Sequence, residues 1–226
     1  MIEVSGVTHR FGERVVLRDV TVSLTEHRIG VVGANGSGKS TFARLINGLV
    51  RPTDGSVTVD GLDTGKDAGK VRRLVGFVFT DPDNQIVMPT VAEDVAFSLR
   101  RSKLSRAEVT ARVTAALERF ELAGHADHPA HLLSGGQKQL LALASVLATE
   151  PEIVVCDEPT TLLDLRNTRR VGALLDGLPQ RIVLVTHHLD LLERYQRVLV
   201  FDQGALIDDG PPERVLDGYR RLMETR

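Results

Sequence analysis

The sequence has a single cysteine, no tryptophan, and aromatic residues at only 4% of its 226 positions. One thiol rules out a disulfide framework, and Cys156 lies in an apolar strand pattern, so we expect it to be buried and unreactive. The longest nearly apolar run, residues 140–148, is too short to span a bilayer. Residues 1–10 lack the apolar stretch of a signal peptide. We therefore expect a soluble, intracellular protein.

An excess of positive charge is also missing. The chain carries 28 Lys and Arg residues against 30 Asp and Glu residues, which gives a net charge of −2. This balance, with a pI near 6.4, argues against nucleic acid as a partner. The length and the 42% content of hydrophobic residues suit one large domain with a substantial core.

Apolar runs predict an α/β fold. Four short, β-branched runs with turn residues between them predict strands at 2–7, 15–17, 20–24 and 57–59. Five more continuously apolar runs predict strands buried on both faces of a mostly parallel sheet, at 29–32, 74–79, 153–156, 182–185 and 198–201. Helical patterns separate several of these strands, as in an α/β fold.

The segment from 85 to 150 has no strong strand pattern and is predicted to be helical. Ser105 and Glu108 form a capping-box pattern, apolar residues follow at helical spacing, and Gly124 would close the helix. We expect a single domain over 1–226, whose core (1–84 and 151–226) carries an inserted helical subdomain over 85–150.

Residues 33–41 fit the phosphate-binding pattern G-x-x-x-x-G-K-[ST]. An apolar strand precedes them and a helical pattern running to Leu49 follows, which is the context that the motif needs. Backbone N–H groups and the helix N-terminus would surround a phosphate. We expect Lys39 to reach the β- and γ-phosphates of a nucleoside triphosphate and Ser40 to ligate Mg²⁺. The candidate nucleotide-binding residues here are Gly33, Asn35, Gly36, Ser37, Gly38, Lys39, Ser40 and Thr41.

The predicted strand at 153–156 ends in Asp157 and Glu158. Both carboxylates would lie at the carboxyl edge of the sheet, where ligands bind in such folds. Asp157 could hold Mg²⁺ through water, and Glu158 could polarise the water that attacks the γ-phosphate. An acidic strand end is common, but downstream of a phosphate loop it indicates a catalytic site.

A third motif consists of Ser134, Gly135, Gly136 and Gln137 at the start of a predicted helix that stops before Pro151. Taken in isolation it would be an ordinary serine cap with a flexible turn. Together with Leu133, however, it resembles the signature sequence of ATP-binding cassette (ABC) ATPases. The spacing between Ser134 and Asp157 also resembles that family, and the resemblance extends over nearly the whole chain.

This resemblance implies a P-loop NTPase core with a mostly parallel sheet, an antiparallel N-terminal β-subdomain and the helical insertion. It also implies that Phe11 stacks on adenine, that His187 acts as the switch histidine at the γ-phosphate, and that Asp164 belongs to the dimer loop. Lys39, Glu158 and His187 would be the catalytic residues. Thr161 and Leu162 depart from the small residues that are usual in the dimer loop.

The family also implies a shared site. Two copies would face each other head to tail, as a homodimer or a heterodimer with a related chain. ATP bound on the phosphate loop of one copy would be capped by the signature residues of the other. Each copy alone would then be an incomplete catalyst.

One position departs from the family in a way that concerns coupling. The strand at 75–79 is normally followed by a glutamine that senses the γ-phosphate and Mg²⁺, and here that position is Thr80. Either Thr80 weakens coupling to a partner, or Gln85 or a water molecule replaces the glutamine.

The segment from 81 to 97 resembles that of energy-coupling factor transporter ATPases, where it lies by the groove for the coupling helices of a transmembrane subunit. The chain's brevity and local sequence look most like the ATPase of biotin transporters, with cobalt or nickel transport as the alternative. The expected partners are therefore a transmembrane coupling subunit and a substrate-binding membrane subunit, at the cytoplasmic face of the membrane.

The residues leave other functions open. ABC-type ATPases also serve conventional importers and exporters, DNA repair, chromosome organisation and ribosomes, although the long coiled-coil insertion of the chromosome type is missing. His125, His128 and His131 could suggest a metal site, but Pro129 interrupts any helix between them. We favour a polar surface loop for these three histidines.

Overall fold

The computed structural model describes residues 1–224, which form two sheets and the helices packed on them. The strands are β1 Ile2–Phe11, β2 Arg14–Leu24, β3 Arg28–Gly33, β4 Asp54–Val59, β5 Leu62–Asp63, β6 Val75–Val78, β7 Ile153–Asp157, β8 Arg181–Val185, β9 Arg197–Asp202 and β10 Ala205–Gly210. The helices are α1 Lys39–Ile46, α2 Ala68–Leu74, α3 Val91–Ser98, α4 Arg106–Arg119, α5 Gly135–Leu147, α6 Leu165–Asp176 and α7 Pro212–Glu224.

The larger sheet has the strand order β10-β9-β3-β8-β7-β6. Its pairs are parallel except for the edge hairpin of β9 and β10. The smaller sheet has the order β2-β1-β4-β5, and all of its pairs are antiparallel. This architecture confirms the predicted α/β fold with a mostly parallel sheet and an antiparallel N-terminal sheet.

Alternate residues of the parallel strands belong to two separate cores. In β7, Val154 and Cys156 pack with the core that contains α3, α4 and α5, whereas Ile153 and Val155 pack with the core that contains α1 and the N-terminal sheet. Both faces are covered, which is why these strands are continuously apolar. Cys156 is buried as expected, and burial raises the pKa of its thiol.

The elements that carry the site begin and end for local reasons. Gly38 precedes α1 in a left-handed conformation, and α1 ends at Ile46 because Gly48 adopts a left-handed φ of 69°. The helix predicted to run to Leu49 is therefore about one turn shorter in the structure. Helix α5 begins at the signature, as its sequence predicts, and the structure adds a capping box formed by Ser134 and Gln137.

Three other predictions need correction. The runs at 15–17 and 20–24 are one strand, β2, in which Asp19 takes a positive φ of 46° at an irregularity of the pairing with β1. Strands β5 and β10 were not predicted; β5 has only two residues, and both strands are only partly buried. Helix α4 has the predicted capping box but ends at Arg119, where Glu121 and not Gly124 adopts the left-handed conformation.

Helices α3, α4 and α5 lie between 85 and 150, and α5 also contacts β6 of the parallel sheet. One core cluster joins these helices to residues of β6, β7 and β8. The boundary of a helical subdomain at 85–150 stays a prediction.

Candidate active site

The phosphate loop connects the end of β3 to the start of α1. At Gly33 the backbone φ is 151°, and a Cβ atom there would lie 2.1 Å from the carbonyl oxygen of Phe201 in β9. Only glycine allows this close approach, so the neighbouring strand fixes where the loop leaves the sheet. The loop therefore opens at the carboxyl edge of the sheet, as its sequence predicts.

The Lys39 side chain folds back over this loop. Its Nζ donates hydrogen bonds to the carbonyl oxygens of Gly33 (2.8 Å) and Ala34 (3.0 Å). Burial lowers the pKa of Lys39, and the nearby carboxylates of Glu158 and Asp157 oppose that shift. An ammonium group with three donors and two neutral acceptors is well placed to exchange a carbonyl partner for a phosphate oxygen.

A shallow pocket lies against the same loop. It is lined by Phe11, Arg14, Val16, Gly36, Gly38, Lys39, Ser40 and Thr41. Phe11 ends β1 and is 55% exposed, although large apolar side chains are normally buried. The edge of its ring packs against His9, with 4.6 Å between the ring centroids. An exposed aromatic ring beside a phosphate cradle has the placement needed for stacking on a base.

Asp157 is the most buried acidic group of the site, with 0% exposure. Its Oδ1 accepts a 2.8 Å hydrogen bond from the Ser40 hydroxyl. Its Oδ2 has no hydrogen-bond partner and lies 3.5 Å from a guanidinium nitrogen of Arg44. Burial raises the pKa of Asp157, whereas the Ser40 hydrogen bond and Arg44 act in the opposite direction. A hydroxyl beside a carboxylate oxygen that accepts no hydrogen bond fits the oxygen ligands that Mg²⁺ prefers.

Glu158 follows in a left-handed conformation, with a φ of 53°. Its Oε1 lies 2.7 Å from Nε2 of His187, two residues after β8, and its Oε2 accepts a 2.8 Å hydrogen bond from the Thr161 hydroxyl. Two side chains thus hold a carboxylate in place at the edge of the sheet. The sequence singles out Thr161 only as an unusual residue, and its contact with Glu158 was not predicted.

Thr80 and Gln85 have different surroundings. The Thr80 hydroxyl donates a 2.8 Å hydrogen bond to the backbone carbonyl of Asp157. The Gln85 amide bonds instead to the main chain, with Oε1 accepting from Phe79 N–H at 3.1 Å and Nε2 donating to Phe77 and Ala142 carbonyls at 3.4 Å. The Gln85 amide is thus occupied by the main chain of β6, of Phe79 just after it and of α5, and not by a residue of the candidate site.

The signature motif forms the N-terminus of α5. Ser134 and Gly135 are exposed, and a Cβ atom on Gly136 would lie 2.9 Å from Cγ of Asn167. Asp164 caps α6 by accepting a 2.7 Å hydrogen bond from Asn167 N–H. The signature and the dimer loop are therefore packed together in one chain. Within residues 1–224, neither motif lines the pocket at the phosphate loop.

The described part of the chain shows no group of three side chains able to hold a metal ion among its His, Cys, Asp and Glu residues. The rings of His125 and His128 meet edge to face at 5.8 Å, and His125 lies against Gln137. No helix within residues 1–224 is long and apolar enough to cross a bilayer.

A phosphate loop, a buried aspartate and a glutamate–histidine pair at one sheet edge define a P-loop ATPase. Residues 17–161 match the family described as "ABC transporter". The chain belongs to this family, and it is an ATP-binding and ATP-hydrolysing subunit.

Curated relatives support the same placement. A "Putative ABC transporter ATP-binding protein" from Deinococcus radiodurans is 59% identical over 99% of both chains. The "Biotin transport ATP-binding protein BioM" from Rhizobium etli is 50% identical over 97% of both. A "Cobalt import ATP-binding protein CbiO" from Syntrophus aciditrophicus is 42% identical, over 96% of this chain and 80% of the relative. An "Energy-coupling factor transporter ATP-binding protein EcfA1" from Levilactobacillus brevis is 38% identical, over 99% and 83%.

Solved structures show the same fold. CbiO1 from Clostridium perfringens, described as part of the ABC transporter complex cbiONQ, is 30% identical with a TM-score of 0.85, over 99% of this chain and 93% of that one. The ATP-binding cassette MJ0796, described as a dimer in a post-hydrolysis state with ADP and Pi, is 31% identical with a TM-score of 0.82, over 94% and 99%.

We expect Phe11→Ala to weaken ATP binding by about 5- to 150-fold, because stacking a base on an aromatic ring contributes about 1–3 kcal/mol. Isothermal titration with ATP and with GTP would measure the loss, which should be similar for both bases. Phe11→Tyr keeps the aromatic face and serves as the control. Since Phe11 is exposed, the substitution should not change the thermal unfolding midpoint of the protein. Undiminished affinity in the alanine variant would remove Phe11 from the nucleotide site.

Proposed function

We propose that the chain powers a membrane importer of the energy-coupling factor type and hydrolyses ATP with Mg²⁺ in sites shared with a second ATPase copy. The observation that carries the shared site is the separation of the motifs. The phosphate-loop pocket has no signature residue in its lining, whereas the signature stands exposed at the N-terminus of α5. A helix N-terminus attracts anions, so a second copy could offer Ser134, Gly135, Gly136 and Gln137 to the γ-phosphate.

Exposed apolar side chains support the second copy. Leu132 precedes the signature, and Leu162 and Leu165 flank Asp164 in the dimer loop. Each is about three-fifths exposed, at 63%, 64% and 59% respectively. Apolar residues concentrated around two polar motifs are typical of a surface that a partner covers.

The chemistry would rest on positioning and electrostatics. Lys39 would neutralise charge on the β- and γ-phosphates. Ser40 and Asp157 would hold Mg²⁺, which would neutralise phosphate charge when bound. Glu158 would orient and deprotonate the attacking water, and His187 would keep its carboxylate in place and contact the γ-phosphate.

A half-buried apolar groove is the proposed contact with a transmembrane subunit. Its lining includes Leu49, Phe79, Val87 and Phe97, and Val87 is 62% exposed. Asp94 stabilises the wall of the groove, because its Oδ1 accepts hydrogen bonds from the N–H groups of Val87 (2.9 Å) and Met88 (3.2 Å). Its Oδ2 accepts a 2.9 Å hydrogen bond from Ser145 of α5. A coupling helix bound in this groove would therefore act on α5, the helix that carries the signature. The contact would lie at the cytoplasmic face of the membrane.

Biotin is the substrate we propose for the assembled importer. The supporting observation is the 50% identity to a relative named for biotin transport, compared with 42% to one named for cobalt import and 38% to one named for an energy-coupling factor transporter. Cobalt or nickel import is the second candidate. The ATPase does not touch the transported substrate, so the assignment depends on a membrane partner that binds biotin.

Glu158→Gln should reduce ATP turnover by about 10²- to 10⁴-fold, the usual contribution of a general base, while ATP still binds. Steady-state phosphate release and a separate nucleotide titration would measure the two effects. The amide keeps the size of the side chain and can still contact His187. Turnover equal to that of the unmodified protein would exclude Glu158 as the base.

Ser134→Arg should abolish ATPase activity, because a bulky cation would occupy the surface that faces the partner's ATP. The variant should still bind ATP on its own phosphate loop, since Ser134 does not line that pocket. Ser105→Arg, at another exposed capping box, is the matched control and should keep its activity. Normal hydrolysis by Ser134→Arg would refute the shared site.

Transport is tested by expressing the chain together with candidate membrane subunits and measuring uptake of labelled biotin. Uptake should require the chain and be lost in a Lys39→Ala variant, whereas Co²⁺ and Ni²⁺ uptake should be unaffected. Co-purification with the membrane subunits should accompany it. Metal uptake without biotin uptake would favour the second candidate, and co-purification with ribosomes or DNA would overturn transport altogether.

A further inference from the structure

His125 makes a contact with the signature motif that the sequence does not suggest. It ends a short 3₁₀ turn, Ala123–His125, that follows α4. Its Nε2 lies 3.1 Å from Nε2 of Gln137, the last residue of the signature. Gln137 is also half of the capping box at the start of α5, so this histidine contacts the hydrogen-bonded group that begins the signature helix.

The surrounding hydrogen bonds determine which group donates. Oε1 of Gln137 accepts a 2.9 Å hydrogen bond from the N–H of Ser134, so the NH₂ group of Gln137 faces His125. An amide NH₂ only donates, and Nε2 of His125 must therefore accept. Nε2 can accept only when the ring proton is on Nδ1. That Nδ1 is buried and has no hydrogen-bond partner among residues 1–224. The contact with Gln137 is thus the only polar role that this ring has in the described part of the chain.

The orientation of the Gln137 amide matters for Ser134. Because Ser134 Oγ accepts a 3.3 Å hydrogen bond from Gln137 N–H, its own hydroxyl proton is free to be donated. Turning the Gln137 amide over would place NH₂ against the N–H of Ser134 and break the reciprocal cap. An acceptor at His125 opposes that turn, because only the observed orientation satisfies both neighbours.

We propose that His125 is a positioning residue for the signature: it accepts a hydrogen bond from Gln137 and so keeps Ser134 ready to bind the γ-phosphate held by a second copy. The inference rests on the proposed shared site. It concerns a residue outside the motif, and it predicts that a hydrogen-bond acceptor, and not a histidine ring as such, is needed at this position.

The test measures ATP-driven dimerisation of the full chain in a Glu158→Gln background, where bound ATP is not consumed. Sedimentation over a range of protein concentrations gives the dimer dissociation constant. His125→Phe keeps the ring but removes the acceptor, and His125→Leu is a second variant without one. Both should raise the dissociation constant about 10-fold, since the two signature motifs of a dimer are no longer held in advance and must be ordered on association. ATP affinity of the monomer should stay unchanged.

His125→Gln is the rescue variant, because its side-chain oxygen can accept where Nε2 does, and it should dimerise like the parent. His128→Leu is the matched control: His128 packs on the same ring without bonding to Gln137 and should also leave dimerisation unchanged.

Two results would overturn this inference alone: dimerisation of His125→Phe and His125→Leu as tight as that of the parent, or a His125→Gln variant as weak as they are. A Glu158→Gln parent that binds ATP but stays monomeric would instead refute the shared site on which the inference rests.

Discussion

The buried carboxylate of Asp157 is the constraint on which the rest of the site depends. A carboxylate removed from water is costly unless other groups stabilise it, and here burial raises its pKa. The two stabilising groups, the Ser40 hydroxyl and the Arg44 guanidinium, come from α1. Thr80, after β6, donates a hydrogen bond to the backbone carbonyl of the same residue. The phosphate loop, the parallel sheet and the segment after β6 are therefore fixed relative to one residue.

The carboxylate of the neighbouring Glu158 has different contacts from that of Asp157. Its left-handed backbone costs on the order of 1 kcal/mol and turns consecutive carboxylates in different directions. Glu158 is held by the side chains of Thr161 and His187, whereas Oδ2 of Asp157 is left without a hydrogen bond. Two adjacent acids in unlike surroundings can take unlike roles, one toward a metal ion and one toward a water molecule. This division agrees with the proposed mechanism.

The sequence predicts the parts of the fold that depend on local patterns. Continuously apolar runs locate five strands of the parallel sheet, because those strands are buried on both faces. Strand β10 was not predicted, because its partly buried residues, which include two aspartates, resemble a loop. Gly124 was predicted to end α4, but Glu121 takes the left-handed position instead. Motifs likewise locate the phosphate loop and the acidic pair. The contacts of Arg44 with Asp157 and of His125 with Gln137 join residues of different elements, whose meeting depends on helix rotation and chain path, and no short pattern encodes them.

Thr80 stands where the family has glutamine, and the segment that follows it makes its own contacts with the site. That segment is joined to α5 at three places: Asp83 pairs with Lys138 at 2.7 Å, Gln85 bonds to the Ala142 carbonyl, and Asp94 accepts from Ser145. At its other end Thr80 ties it to the backbone of Asp157. Within the proposed importer, a force applied at the groove would therefore reach the signature through α5 and the backbone of Asp157, the proposed Mg²⁺ ligand, through Thr80. A single side chain at position 80 need not span both sites, because the segment is anchored to each of them separately.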